Sequence, residues 1–247
     1  MKQNLRRLTL GFLCLVLAAL ILPAYADSAL FEAAVSLQSG AEPTQFRVYA
    51  STEHAAGFPD DPALLAEVTP PAGDPYTFLF PSDESNQNDI LPLLRFTDMN
   101  GDGNLDVEAV FVLGASNLTC TYYLFDPADG QMHYSAVLGA LANAVYDAQL
   151  NVILSQVSDG AATQYYSLFD LAEGVPVLAR TAWMDAVPQG DAYTLSINVT
   201  SAITGEVLLE DSVPFQDDES ALWNAQYDRM MLALLDGYAG IPATEQP

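Results

Sequence analysis

Phe96 to Gly114 reads FTDMNGDGNLDVEAVFVLG, with oxygen donors at alternate positions around a glycine. Numbered from Asp98, the loop places Asp98, Asn100 and Asp102 at positions 1, 3 and 5, Gly103 at 6, Asn104 at 7 and Asp106 at 9. Side-chain oxygens so spaced converge on one ion when the backbone winds tightly around it. Gly103 allows the sharp turn, after which the Asn104 carbonyl points inward. Carboxylates, amides and carbonyls suit a hard cation, and Ca²⁺ better than Mg²⁺ because it accepts irregular oxygen cages. Without an ion, the same residues would make an Asn/Gly/Asp turn between strands.

An EF-hand closes its cage with Glu at position 12, which here is Ala109, and the segment that follows is Val- and Phe-rich and stopped by Gly114. That composition predicts a strand rather than an exiting helix. Strand alternation puts Asp106 and Glu108 on one face and Val107, Ala109 and Phe111 on the other. Asp106 then closes the cage, with Glu108 as a further ligand or as a hydrogen-bonding neighbour. Three carboxylates and one amide on an exposed loop imply affinity of about micromolar to millimolar. The expected role of Ca²⁺ is structural.

Other chemistry is sparse. His54 and His133 are the only histidines, and neither has a Ser or Cys nearby in sequence in a nucleophile setting. There is no Gly-x-Ser-x-Gly and no His-Glu-x-x-His. Two separated histidines and one cysteine make a poor zinc set. The 32 acids could conceal a glycosidase pair, yet no spacing marks one. No catalytic residue is assigned, and a noncatalytic protein is expected.

The elements that must hold the loop read as β. From Phe31 to about Val213, runs such as TQFRVYAS, YTFLF, TCTYYLF and YTLSINVTS alternate with turn segments such as PPAGDP, DPADGQ and PQGD. The plan is all-β, antiparallel and hairpin-rich, either β-propeller-like or an irregular β-sandwich. One internal echo, TYYLFDPADGQMHY and QYYSLFDLAEGVPVL, sets Asp126 and Asp170 44 residues apart, close to the period of propeller blades. Near the C-terminus, Trp223, Tyr227, Met230, Met231, Leu234 and Tyr238 recur at helical steps, and Gly237 offers a stop. An amphipathic helix over 217–240 is expected to pack on a β domain spanning 27–216, before a tail at 241–247.

The first 26 residues read as a signal peptide. Lys2, Arg6 and Arg7 precede an apolar run from Leu8 to Leu22, and AYA offers cleavage near Ala26. Fifteen apolar residues fall short of a membrane span, so none is expected after cleavage. A secreted or periplasmic location follows. The mature chain then keeps Arg47, Arg95, Arg180 and Arg229 against 32 acids, no lysine, and a formal charge of −28. Such a surface repels nucleic acid and attracts metal cations and basic proteins. Its single cysteine, Cys120 in NLTCTYYLF, admits no intramolecular disulfide and reads as a buried small hydrophobe.

Over about residues 90–180 the sequence resembles the calcium-binding, β-propeller-like bacterial periplasmic immunity proteins that block lysozyme-like effectors. Asp98, Asn100, Asp102 and Asp106 match that family's loop, and Leu124, Phe125, Asp126, Pro127 and Gly130 match its Leu-Phe-Asp-Pro hairpin. Many relatives carry an aromatic residue after the loop Asn, where this chain has Gly101. The resemblance implies an inhibitor or immunity partner of a basic lysozyme-like cell-wall hydrolase. A cell-surface or glycan-binding module is the alternative, and a glycosidase the second.

Overall fold

The computed structural model describes residues 29–82, 93–113, 116–160, 162–190, 192–215 and 220–238. The expected signal peptide at 1–26 and the tail at 241–247 lie outside them. No described helix is long and apolar enough to cross a membrane.

Three antiparallel sheets follow one another along the chain. The first comprises β1 (Phe31–Val35), β2 (Thr44–Ala50), β3 (Ala63–Thr69) and β4 (Tyr76–Pro81). The second holds β5 (Leu94–Thr97), β6 (Asp106–Leu113), β7 (Leu118–Asp126) and β8 (Gln131–Tyr134), with β9 (Ala140–Ala142) paired to β7 beyond β8. The third runs through β10 (Val145–Asp147), β11 (Val152–Asp159), β12 (Thr163–Ala172), β13 (Val175–Gln189), β14 (Ala192–Ser201) and β15 (Val207–Phe215). The strand order in the first and third sheets, and in β5 to β8, is the sequence order, as short turns between β-branched and aromatic runs dictate. No sheet closes into a barrel. The internal echo falls on β7–β8 and β12–β13, the third and fourth strands of their respective sheets.

Apolar side chains collect in three cores. Phe46, Val48, Leu64, Val68 and Phe80 of the first sheet meet Leu94, Val107, Ala109 and Phe125 of the second. Met99, Val110, Cys120 and Tyr122 of the second meet Ile153 and Phe169 of the third. The third core lies between the last sheet and the helix α1 (Ser220–Leu235). Met230 and Leu234 are fully buried there, each contributing about 1.5–3 kcal/mol of transfer free energy, and Trp223, Tyr227, Met231 and Tyr238 pack around them. The helix stripe legible in the sequence is therefore the docked face.

Two cations fix this helix. Arg229 pairs with Asp211 of β15, which also accepts a hydrogen bond from Gln226 at 3.2 Å. From β13, the Arg180 guanidinium donates to the Ala233 and Leu234 carbonyls, both at 2.9 Å, and lies over the Tyr238 ring. Those carbonyls are free at a helix C-terminus, where positive charge is favoured. Gly237, at φ +83°, ends the helix.

The alternation expected along β6 holds only for its first half. Asp106, Val107, Glu108 and Ala109 are all buried, because β6 is covered on both faces. Register shifts between Val110 and Val112, so Phe111 leaves the face shared by Val107 and Ala109 and stacks edge-on against Phe58. The sequence did not mark β1, β9 or β10, of which two have only three residues.

Candidate metal centre

The Asp98–Asp106 loop joins β5 to β6 and sits where the three sheets meet. Met99 drops into the core between the second and third sheets, and Leu105 packs against the core between the first and second. The Leu105 N–H donates to the Leu37 carbonyl, in the β1–β2 loop of the first sheet, at 2.8 Å. Sequence reading centred on the oxygen donors and did not assign these two apolar anchors, although both interrupt the polar alternation.

The loop's acids are engaged by its own amides. Asp98 accepts the Gly101 N–H at 2.7 Å on one oxygen and the Gly103 N–H at 2.9 Å on the other. Asn100 Oδ1 accepts the Asp102 N–H at 3.1 Å, and Asp102 Oδ1 accepts the Asn104 N–H at 2.8 Å. Gly103 takes φ +84°, the left-handed turn its position demands. These bonds hold the donors of positions 1, 3 and 5 on one tight turn.

Asp106 is the buried member. It is 0% exposed, and its carboxylate accepts the Met99 N–H at 2.8 Å and the Phe125 N–H at 2.9 Å. Burial pushes its pKa up to about 6 against the pull of those two amides, and the charges of Asp102 and Asp98 push the same way. Among the described residues, no arginine offsets it. Arg47 pairs with Glu32, Arg95 with Glu108, Arg229 with Asp211, and Arg180 caps the helix. A divalent cation among these acids would supply the missing positive charge. An ionised carboxylate offers about four lone-pair sites, so Asp106 retains acceptor capacity beyond its two amides. Asp98, Asn100, Asp102, the Asn104 carbonyl and Asp106 are oxygen donors of the kind that suits a hard cation.

Glu108 faces away from that role. It lies opposite Arg95 across the β5–β6 pair and is ion-paired to it. Burial raises its pKa, and Arg95 opposes the rise. Its partner in the fold is Arg95 rather than a loop donor.

Gly101 is explained by its surroundings. A Cβ there would lie 2.4 Å from the Tyr146 hydroxyl oxygen and 3.1 Å from Asn151 Oδ1, and the residue has φ +72°. Tyr146 on β10 and Asn151 before β11 occupy the space a larger side chain would need. The third sheet thereby clamps the loop.

A second polar group was not read from the sequence. Among the described residues, Asp126, Asp129 and His133 are the three metal-ligating side chains whose donor atoms lie within 4.8 Å of one another; the loop acids do not meet that measure. All three sit on the β7–β8 hairpin and are exposed. Asp126 accepts the Ala128 N–H, Asp129 accepts the Gln131 N–H, and His133 Nε2 lies 2.8 Å from Asp129. The Gln131 amide, with His133, holds the Asp129 pKa below the usual carboxylate range. Turn capping accounts for these bonds.

His54 and His133 line one open cavity of about 440 Å³ with Tyr123 and Tyr134. The partners of the two rings are the Asp61 carbonyl and Asp129, not a hydroxyl or a thiol. Cys120 is buried, and burial pushes its thiol up to about 12, so it stays protonated at neutral pH.

No family model and no curated protein matches the sequence. A solved structure described as that of a Xanthomonas type IV secretion system related protein is similar at 21% identity and a TM-score of 0.45. The similarity covers 74% of this chain and 98% of that one.

Proposed function

We propose that this chain is a calcium-stabilised, noncatalytic binding protein that works outside the cytoplasm on a basic protein partner. The partner class that the sequence resemblance suggests is a lysozyme-like cell-wall hydrolase, with this chain as its inhibitor or immunity protein. The observation that carries the reading is Asp106: a buried carboxylate with no cationic side chain beside it among the described residues, at the junction of all three sheets, inside an Asp-x-Asn-x-Asp-Gly loop. An ion held there by Asp98, Asn100, Asp102, the Asn104 carbonyl and Asp106 would neutralise the loop and tie the sheets together. It needs no open position for substrate in this role.

The partner's charge follows from the arginines. All four in the mature chain are engaged within the fold, so its many acids remain largely uncompensated at the surface. Electrostatic complementarity steers such a surface to basic proteins and raises the rate of encounter. The test is direct. Purified mature protein, added in calcium to a panel of basic lysozyme-like hydrolases, should slow their clearing of a cell-wall suspension. Unchanged clearing across the panel would remove the inhibitor reading.

A further inference from the structure

The third sheet buries one face under α1; its other face packs on the second sheet through Ile153 and Phe169 and is exposed around Val157, Tyr165 and Trp183. We propose that this exposed region, centred on Tyr165 and Trp183, is the surface on which a cationic protein partner docks; the proposal rests on the basic-partner reading above. Tyr165 lies directly opposite Trp183 on the next strand, and Val157 lies opposite Tyr165. The three are 45%, 37% and 37% exposed, so they form a short apolar row across the middle of an open sheet. Their strand neighbours Tyr166, Ala182 and Met184 point the other way, into the core under the helix.

Polar rows flank the aromatic pair. On one side run Asp159, Thr163, Asp185, Ser196 and Ser212, each opposite the next. On the other side are Ser167 and Thr181, and Glu210 ends the central row beyond Asn198. Asp185 accepts a 2.6 Å hydrogen bond from Thr163, while the four arginines are committed elsewhere. An exposed Trp and Tyr with acids along one side and at the end of the row can receive a guanidinium or ammonium group. The ring faces attract the cation, and the carboxylates accept its N–H bonds. Trp and Tyr are also the side chains over-represented where binding energy concentrates. A second copy of this chain is a poor occupant, since it would bring the same negative charge to the same acids.

The test uses the mature protein in calcium at physiological ionic strength. Its binding to egg-white lysozyme and to other basic lysozyme-like hydrolases is measured by calorimetry. The variants are Trp183→Ala, Trp183→Phe and Asp185→Asn, with Glu53→Gln in the β2–β3 loop as a remote control. Matched melting temperatures establish that each variant is folded. Binding by the wild type, weakened about tenfold or more by Trp183→Ala and by Asp185→Asn but kept by Trp183→Phe and Glu53→Gln, supports the surface. Equal binding by the wild type and Trp183→Ala overturns this surface and leaves the basic-partner reading standing. No binding to any hydrolase overturns both. Binding of an N-acetylglucosamine tetramer that Trp183→Ala abolishes, with no hydrolase bound, overturns the proposal by assigning the face to a glycan.

Discussion

The Asp106 carboxylate accepts the Phe125 N–H at 2.9 Å, joining residues 19 apart in sequence. Phe125 belongs to the Leu-Phe-Asp-Pro hairpin, and Asp106 closes the Asp-x-Asn-x-Asp-Gly loop. The two sequence motifs are therefore one structural unit. Asp106 also holds Met99, whose side chain is fully enclosed between the second and third sheets. The loop can thus have a structural role independent of any ion as well as one dependent on it, and substitutions separate the two.

Replacing Asp106 with Ala removes the acceptor of two buried amides. Hydrogen bonds to charged groups contribute roughly 1.5–3 kcal/mol, and orphaned buried donors cost about as much. Asp106→Ala is expected to lose about 2–5 kcal/mol in urea denaturation even in chelator. Asp102→Ala, whose lost bonds are exposed or only part-buried, should lose less than about 1 kcal/mol in chelator and more in calcium. Equal losses for the two variants in chelator would contradict this division.

The pH dependence has a definite sign. The Asp106 pKa is raised to about 6 in the folded protein from an ordinary value of 3.8. The native state then binds the extra proton, so this group's contribution is present below about pH 4 and is lost as pH rises through about 6. In chelator, wild-type melting temperature should fall across that window more than that of Asp106→Asn. Calcium binds the ionised form, so calcium affinity should drop as pH falls below about 6. A calcium affinity constant from pH 5 to 7 would contradict the assignment.

Gly101 should resist substitution for two separable reasons. A Cβ meets the Tyr146 hydroxyl, and φ of +72° strains any L side chain. Gly101→Ala is expected to cost about 1–3 kcal/mol, with about 1 kcal/mol remaining in a Tyr146→Ala background. A double-mutant cycle by urea denaturation measures the difference. Strict additivity would show that the clash is absent.

Arg180→Ala removes two hydrogen bonds to the last helix carbonyls and the stacking on Tyr238. A loss of about 2 kcal/mol is expected, with loosening of α1 visible in the fluorescence of Trp223 in a Trp183→Phe background. Arg180→Lys should recover part of the stability, since a single ammonium retains charge but not the guanidinium fork. Unchanged stability in Arg180→Ala would show that apolar packing alone holds the helix.

The sequence was most informative where side-chain type and local spacing coincide. The donors from Asp98 to Asp106, the hairpin turn at Asp126 to Gly130 and the stripe from Trp223 to Tyr238 each depend on neighbours within a few residues. What it hid depends on distant neighbours. The pairing of Glu108 with Arg95 needs the β5–β6 register, and the crowding at Gly101 needs Tyr146 from another sheet. The shift of Phe111 needs a bulge that strict alternation cannot foresee. His133 was judged on its sequence neighbours, whereas the hairpin folds Asp129 beside it. The extension of β13 past Trp183, with Pro188 inside it, also defies local reading, since proline there argues against a strand.

The most direct test of the account is the melting temperature of the mature protein with calcium and with chelator, for the wild type and for Asp102→Ala. An ion at about 100 times its dissociation constant adds roughly 2.7 kcal/mol, which for a domain of this size is about 5–10 °C. The account predicts that rise in the wild type and its loss in Asp102→Ala. Identical melting in calcium and chelator, or a rise that Asp102→Ala keeps, would contradict the claim that the Asp98–Asp106 loop holds a stabilising ion.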